Sequence, residues 1–217
     1  MAETSQILPR SFWIGIILLI GLLSVACLLS LAELQNQQRL PFDGQVADFT
    51  LTNQDGVPTT LATLTNHVWV ADIIFTRCAG PCPRMTAQMK SLQDSLPENS
   101  GARLVTLTTD PDYDSPGILK RYGERFNADF GRWTFLTGTK AQIASLAANS
   151  LKLGSTPIAP GDQKTSVDLF IHTTIFALVD KHARIRGYYQ TGGQDVDWRS
   201  QIKPALIAAI RKLERQR

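Results

Sequence analysis

Residues 68–85 read VWVADIIFTRCAGPCPRM, and this stretch decides the fold. Val68–Phe75 is a nearly continuous apolar run of strand length, the pattern of a central strand buried on both faces. Pro81 and Pro83 are tolerated only in the first turn of a helix, so they place a helix start inside the cysteine motif. Met85, Met89, Leu92 and Leu96 then recur at helical spacing. Cys82 falls on the first helical turn and Cys78 just before it. The positive end of the helix dipole, with Arg77 and Arg84 alongside, is expected to favour thiolate over thiol. Gly80 is expected to let the loop fold back, so that both sulfurs face one point.

Working outward, strands alternate with longer helices and nothing repeats internally. Ala47–Thr52 reads as a strand followed by the turn signal Asn53-Gln54-Asp55-Gly56. Arg103–Thr108 is a second central strand, Ser115–Phe126 a helix, Trp133–Leu136 a short strand and Lys140–Leu153 another helix. Thr173–Asp180 and Arg184–Tyr189 form a hairpin around Lys181-His182-Ala183. Val196–Leu213 is an amphipathic helix expected to kink at Pro204. This order predicts an α/β, thioredoxin-like fold with a central mixed sheet flanked by helices. Gly154–Ile171 is long for a loop, and loops of that length commonly carry function.

Before this domain lies Phe12–Ala32, FWIGIILLIGLLSVACLLSLA, 21 residues without a charge. At ~1.5 Å per residue it matches the ~30 Å hydrocarbon core of a bilayer, and Trp13 suits the interface. The run exceeds a signal peptide's apolar stretch of ~7–15 residues and continues past Cys27, which argues for an uncleaved anchor with that cysteine as a spectator. The expected organisation is a short cytoplasmic N-terminus at 1–11, a transmembrane anchor at 12–32, a tether at 33–45 and the thioredoxin-like domain at 46–217. The slight positive-inside bias of Arg10 places this single-pass chain in the cytoplasmic (inner) membrane. Its C-terminal domain then faces the periplasm or outer face. In 217 residues, 22 are basic and 19 acidic, a net charge of +3 without basic clusters. That balance excludes a nucleic-acid binder. Three cysteines are too few for a disulfide-stapled scaffold.

The Cys78/Cys82 pair can close to a disulfide or grip a soft metal ion. A stabilising clip across so short a loop gains little entropy. Structural zinc takes four protein ligands, and only three histidines exist to complete a site. His67 falls in a turn and His182 at a hairpin tip, both expected at the surface. His172 ends the long loop and precedes a strand, so it is the candidate third ligand. Two thiolates and an imidazole suit copper, Cu(I) and/or Cu(II).

These motifs resemble the Sco/SenC family of membrane-anchored, thioredoxin-fold copper proteins. CAGPCP matches the family's C-x-x-x-C-P, and LVTLTTDPDYDSPGILKRYGERF its strand–D-P-x-x-D-x-P–helix stretch. FLTG and IHTTIFALVDKHARIRGYY complete the match, which spans nearly everything after the tether. The resemblance implies a metallochaperone that delivers copper, with or without reducing equivalents, to the Cu(A) site during cytochrome c oxidase assembly. Cys78, Cys82 and His172 would be the ligands, and the partner the oxidase subunit carrying Cu(A) or another outward-facing copper protein. Two departures stand out: Gly80-Pro81 between the cysteines, and Ile171 where the family usually has Asp before its histidine. The alternative is a membrane-anchored thiol–disulfide oxidoreductase acting through Cys78 and Cys82 as a redox-active pair, which needs no histidine. A peroxidase of the peroxiredoxin type fits poorly, because Thr76 is only two residues from Cys78.

Overall fold

The computed structural model describes residues 19–25, 40, 43–153 and 174–216. The chain divides into two units, Met1–Leu40 and Pro41–Arg217. In the first, residues 19–25 are helical and their side chains exposed. Most of the expected anchor, Cys27 included, lies outside the described residues. Among those described, no helix is long and apolar enough to cross a membrane.

The second unit is built on β1 (Gly44–Gln45), β2 (Thr50–Asn53), β3 (Pro58–Thr60), β4 (Trp69–Ile74), β5 (Arg103–Thr108), β6 (Trp133–Thr137), β7 (Ile175–Val179) and β8 (Arg184–Gln190). They form one sheet in the order β1-β8-β7-β4-β5-β6-β2-β3. The pairs β4–β5 and β5–β6 are parallel and the others antiparallel, so the sheet is mixed as the sequence pattern predicts. β4, apolar but for Asp72, sits inside the sheet between β5 and β7, where both of its faces are covered. Residues 44–45, read from the sequence as the end of a tether, pair instead with β8. The turn signal at 53–56 joins β2 to β3, with Gly56 at φ +77°; that left-handed conformation is why glycine stands there.

Between the strands lie α1 (Leu61–Leu64), α2 (Cys82–Ser95), α3 (Pro116–Arg125), α4 (Lys140–Ala144, continuing as a π-helical turn over Ser145–Ser150) and α5 (Lys203–Arg215, entered through a π-helical turn at Trp198–Ile202). Thr139 and Gln142 form a capping box at the start of α4. The sequence predicts one regular helix to Leu153; the π turn replaces its second half because Leu146 and Leu151 both enter the core. The Leu151 N–H donates to the Leu146 carbonyl, five residues back. Pro204 lies in an unbroken helical run over 198–215, directly after the π turn gives way to α5, and Asp197 caps the start of that run through the Arg199 and Ser200 amides.

Side-chain alternation assigns the two faces of the sheet. Trp69 and Ala71 of β4, Val105 and Leu107 of β5 and Leu136 of β6 join Ile143, Leu146 and Ala147 of the α4 region in one apolar core. Val70, Asp72, Ile74, Leu104, Thr106, Thr108, Trp133 and Phe135 therefore face the opposite side. There, Met85, Met89 and Leu92 of α2, Leu119 and Tyr122 of α3, and Leu206 and Ile210 of α5 are buried.

That second core is tight at Gly123 of α3. A Cβ there would lie 2.8 Å from a Phe130 ring carbon and 2.9 Å from one of Phe135. Gly123→Ala gains ~1 kcal/mol of helix propensity but overpacks two aromatic rings. The expected net loss is ~1–2 kcal/mol, seen as a lower urea midpoint with an unchanged m-value.

Candidate metal centre

β4 delivers the chain to Phe75, and the turn after it is closed by the Cys78 N–H donating to the Phe75 carbonyl (3.2 Å). α2 begins at Cys82, with Pro81 at its N-cap and Pro83 in its first turn. The two prolines thus set the helix start where the sequence places it. Cys78 is 8% exposed, Cys82 2%, and both are free thiols. The Gly80 N–H donates to Cys78 Sγ at 3.3 Å. A Cβ at position 80 would meet that sulfur at an ordinary 3.7 Å, so the turn does not itself require glycine.

The expectation of two acidified thiols does not hold for Cys82. Burial pushes its thiol up, well past the ordinary range, and the neighbouring Cys78 sulfur and Asp72 add to the rise; a backbone hydrogen bond from Phe75 opposes it. The helix dipole is outweighed because the sulfur has been removed from water. Of the flanking arginines, Arg77 is engaged elsewhere. Arg77 pairs with Asp110 at 2.5 Å and lies 4.0 Å above the Tyr113 ring, while the Arg84 guanidinium crowds the Cα of Gly192. At Cys82 a soft cation would displace a thiol proton instead of meeting a preformed thiolate.

What holds the cysteine turn is Asp114, fully buried after β5. Its carboxylate accepts the Thr76 N–H (3.1 Å), the Thr76 hydroxyl and the Thr108 hydroxyl. Asp110 and Asp114 stand in the D-P-x-x-D-x-P stretch, where the sequence alone assigns them no role. Two threonines following adjacent parallel strands, with an aspartate at the next helix start, are the signal that was available.

Asp72 was also missed, although a lone carboxyl inside VWVADIIF is visible in the sequence. It is fully buried on the α2 side of β4. Its Oδ1 accepts the Thr106 hydroxyl at 2.6 Å, and Trp133 Nε1 donates to the same Thr106 oxygen at 2.9 Å. Its Oδ2 has no hydrogen-bond partner among the described residues. Burial pushes this carboxyl up to about 7, against a smaller opposing effect of the Thr106 hydrogen bond.

His172 lies outside the described residues. Thr174, two residues on, accepts the Thr191 N–H at 2.7 Å through its carbonyl, and its hydroxyl donates to Gly192 O at 3.4 Å. His182 is exposed at the hairpin tip as expected, and the half-buried His67 meets the Gly101 carbonyl through Nδ1 at 2.8 Å. Among the described residues, no group of three or more His, Cys, Asp or Glu side chains could hold a metal.

The fold and site define a class: a thioredoxin-like α/β domain presenting a C-x-x-x-C thiol pair where its central strand passes into a helix. The SCO1/SenC family profile matches residues 37–206, and the chain belongs to that family. This bears out the resemblance drawn from the sequence motifs. The SCO1 protein homolog of Bacillus subtilis is 36% identical over 147 residues, covering 67% of this chain and 73% of that protein. The structure of BsSco, described as a member of the Sco family of cytochrome c oxidase assembly proteins with a disulfide switch, superimposes with a TM-score of 0.68. It is 30% identical, over 83% of this chain and 100% of that one. Copper-bound ScoI of Bradyrhizobium japonicum shares the fold, with a TM-score of 0.63 and 18% identity over 78% of this chain and 99% of that one.

The raised Asp72 carboxyl has a consequence for stability. Between its ordinary value of 3.8 and about 7, the folded state holds a proton that the unfolded state releases. This group's contribution is therefore fully present below about pH 4 and lost as pH rises through about 7. Asp72→Asn keeps an acceptor for Thr106 and removes the titration. The variant is expected to be more stable than wild type at pH 8, by on the order of 2–4 kcal/mol, and equal to it near pH 4. Urea denaturation at the two pH values checks this, and equal curves at pH 8 refute it.

Proposed function

We propose that this chain is a copper metallochaperone that binds copper through Cys78, Cys82 and His172 and hands it to the Cu(A) site during cytochrome c oxidase assembly. The observation that carries the reading is the pair of free, buried thiols at the start of α2 in a member of the SCO1/SenC family. Two sulfurs in a low-dielectric pocket are a soft donor set, suited to Cu(I), and an imidazole extends it toward Cu(II). Copper here is cargo, and no turnover is needed.

The described residues support His172 as third ligand indirectly. A Cβ on Gly192 would meet the Arg84 guanidinium at 2.5 Å and the Thr174 hydroxyl at 2.8 Å. Thr174 and the guanidinium tip of Arg84, whose side chain leaves the third residue of α2, thus both lie against Gly192. His172 is two residues from Thr174, at most ~7 Å of extended chain. The anchor at 12–32, with the domain on the outer face of the cytoplasmic membrane, belongs to the same proposal. An oxidising compartment would make the thiol pair redox-switchable, and closing a Cys78–Cys82 disulfide would remove both sulfurs from the metal.

The reduced chain, in detergent, should bind one copper ion in competition with a Cu(I) chelator. Cys78→Ser and Cys82→Ser should each weaken binding by at least about 10³-fold, because each removes a thiolate outright; His172→Ala should cost less, on the order of 10–100-fold. Copper occupancy should follow the reduced fraction through a redox titration. Stoichiometric, tightly held copper in the disulfide-closed chain would sink the assignment.

A further inference from the structure

The parallel strands give the domain two ends. Cys78, Asp110 and Asp114 follow the C-terminal ends of β4 and β5, and the opposite end collects what precedes those strands. There the Asn66 N–H donates to the Lys181 carbonyl at 2.9 Å, and the Ser100 hydroxyl to Glu214 Oε1 at 2.7 Å. Lys181 Nζ closes the C-terminus of α5 by donating to the Glu214 and Gln216 carbonyls, at 2.6 and 3.1 Å. The chain also enters the domain at this end. Gln45 Nε2 donates to the His182 carbonyl and the Val46 N–H to that of Ala183, each at 2.8 Å. The six residues of β4 set the two ends ~20 Å apart.

Four cations stand at the entry end with no carboxylate partner among the described residues: Arg103 of β5 and Arg211, Lys212 and Arg215 of α5. Arg211 and Arg215 are exposed, Arg103 and Lys212 half-buried. The negative end of the helix dipole accounts for Lys212 and Arg215 in the last turn of α5. It does not account for Arg211, a turn earlier, or for Arg103 on another element. Asp43, Glu98 and Glu214 share this end and pair with none of the four. A cluster of one sign left uncompensated attracts a surface of the other.

Two features select a lipid surface over an acidic polypeptide. The exposed α5 positions beside the cations include Pro204, Ala205 and Ala208. Short side chains there let a flat surface approach and lack the bulk that anchors a protein partner. The uncharged run at 12–32 also ends twelve residues before Gly44, at most ~43 Å of fully extended chain.

We propose that the entry end of this domain rests on anionic phospholipid headgroups, bound by Arg103, Arg211, Lys212 and Arg215, so that the thiol end points away from the lipid. This deepens the membrane-anchored reading of the preceding subsection and rests on it. Each Lys or Arg close to an anionic surface favours contact about fivefold, and the tether makes that contact intramolecular. A domain held this way presents Cys78 and Cys82 to a client site standing clear of the bilayer.

The test places the full chain, with ¹³C-methyl alanine, in lipid nanodiscs that carry a gadolinium chelate on some headgroups. Ala208 reports the outer face of α5, and Ala79, exposed between the cysteines, reports the thiol end. In discs mixing phosphatidylglycerol with phosphatidylcholine, the relaxation enhancement at Ala208 should exceed that at Ala79 severalfold. Pure phosphatidylcholine should shrink the difference, as should about 1 M salt, which screens charges beyond ~3 Å. The Arg211→Gln/Lys212→Gln/Arg215→Gln variant should do the same in the mixed discs. Equal enhancement at the two methyls in the mixed discs would overturn the proposal and leave an acidic protein as the partner of these cations. A preference for Ala208 that persists in pure phosphatidylcholine and in salt would overturn it too. Co-elution of the chain with pure phosphatidylcholine discs reads the anchor separately. Its loss would remove the anchored reading and this proposal with it, whereas co-elution without the Ala208 preference removes the proposal alone. Neither result bears on the copper ligands.

Discussion

The site depends on one buried carboxylate. Asp114 is the point at which two loops at the same end of the parallel strands are tied together, the Thr76 turn after β4 and the start of α3 after β5. An isolated carboxylate removed from water is unfavourable, and it becomes tolerable only when donors surround it. Here the donors are a backbone amide and two hydroxyls, all fixed by the ends of adjacent strands. Moving the cysteine turn outward would strip Asp114 of two of the three and leave a charge buried without compensation. That penalty, more than any property of the cysteines, holds Cys78 beside the first turn of α2. Around it the Arg77–Asp110 pair and the Arg77–Tyr113 stacking add a second, partly exposed tie between the same two loops. Solvent-screened pairs of that kind contribute little, so Asp114 is the dominant restraint.

Much of the fold was legible because its strongest signals are local. The apolar run of β4, the prolines at 81 and 83, and the helical spacing of Met85, Met89 and Leu92 act within a few residues of one another, and their elements begin within a residue or two of the expected places. Two kinds of feature were not legible. The π turns before Leu151 and at Trp198–Ile202 are tertiary compromises, in which a core demand for particular side chains overrides regular helical spacing. The edge strand β1 is two residues long, and its pairing with β8 joins segments about 140 residues apart, which no local pattern encodes. At the site, residue types and spacing pointed to the thiol pair. They could not show that the sulfur of Cys82 is dry, and so gave the direction of its acidity wrongly. The dipole and the arginines are readable from neighbours in sequence, whereas desolvation depends on the whole core closing over the helix start.

The two faces of the sheet divide the work of stability from the work of chemistry. On the α4 side the core is apolar, Trp69 and Ala71 packing with Val105, Leu107, Leu146 and Leu151. On the α2 side the same strands carry Asp72, Thr106 and Thr108 inward, and α2 and α3 answer with Thr86 and Tyr122, whose hydroxyls meet at 2.8 Å. Thr86 also reaches back to the Cys82 carbonyl at 3.0 Å. This polar line is costly to bury, and most of its members are satisfied by one another. Asp72 Oδ2 is an exception. A fold built only for stability would place an apolar residue there, as every other position of Val68–Ile74 does. An acidic group retained in a dry core, with its charge felt at both Cys82 and Tyr122, disfavours negative charge on the Cys82 sulfur. On the copper reading proposed above, a bound monovalent cation would reverse that balance, because it would neutralise the Cys82 thiolate as it forms. The same burial that pushes the Cys82 thiol up, and so slows its oxidation or attack, would concentrate the electrostatic gain in the metal-loaded state. On that reading the site would be unreactive without its cargo and stabilised by it.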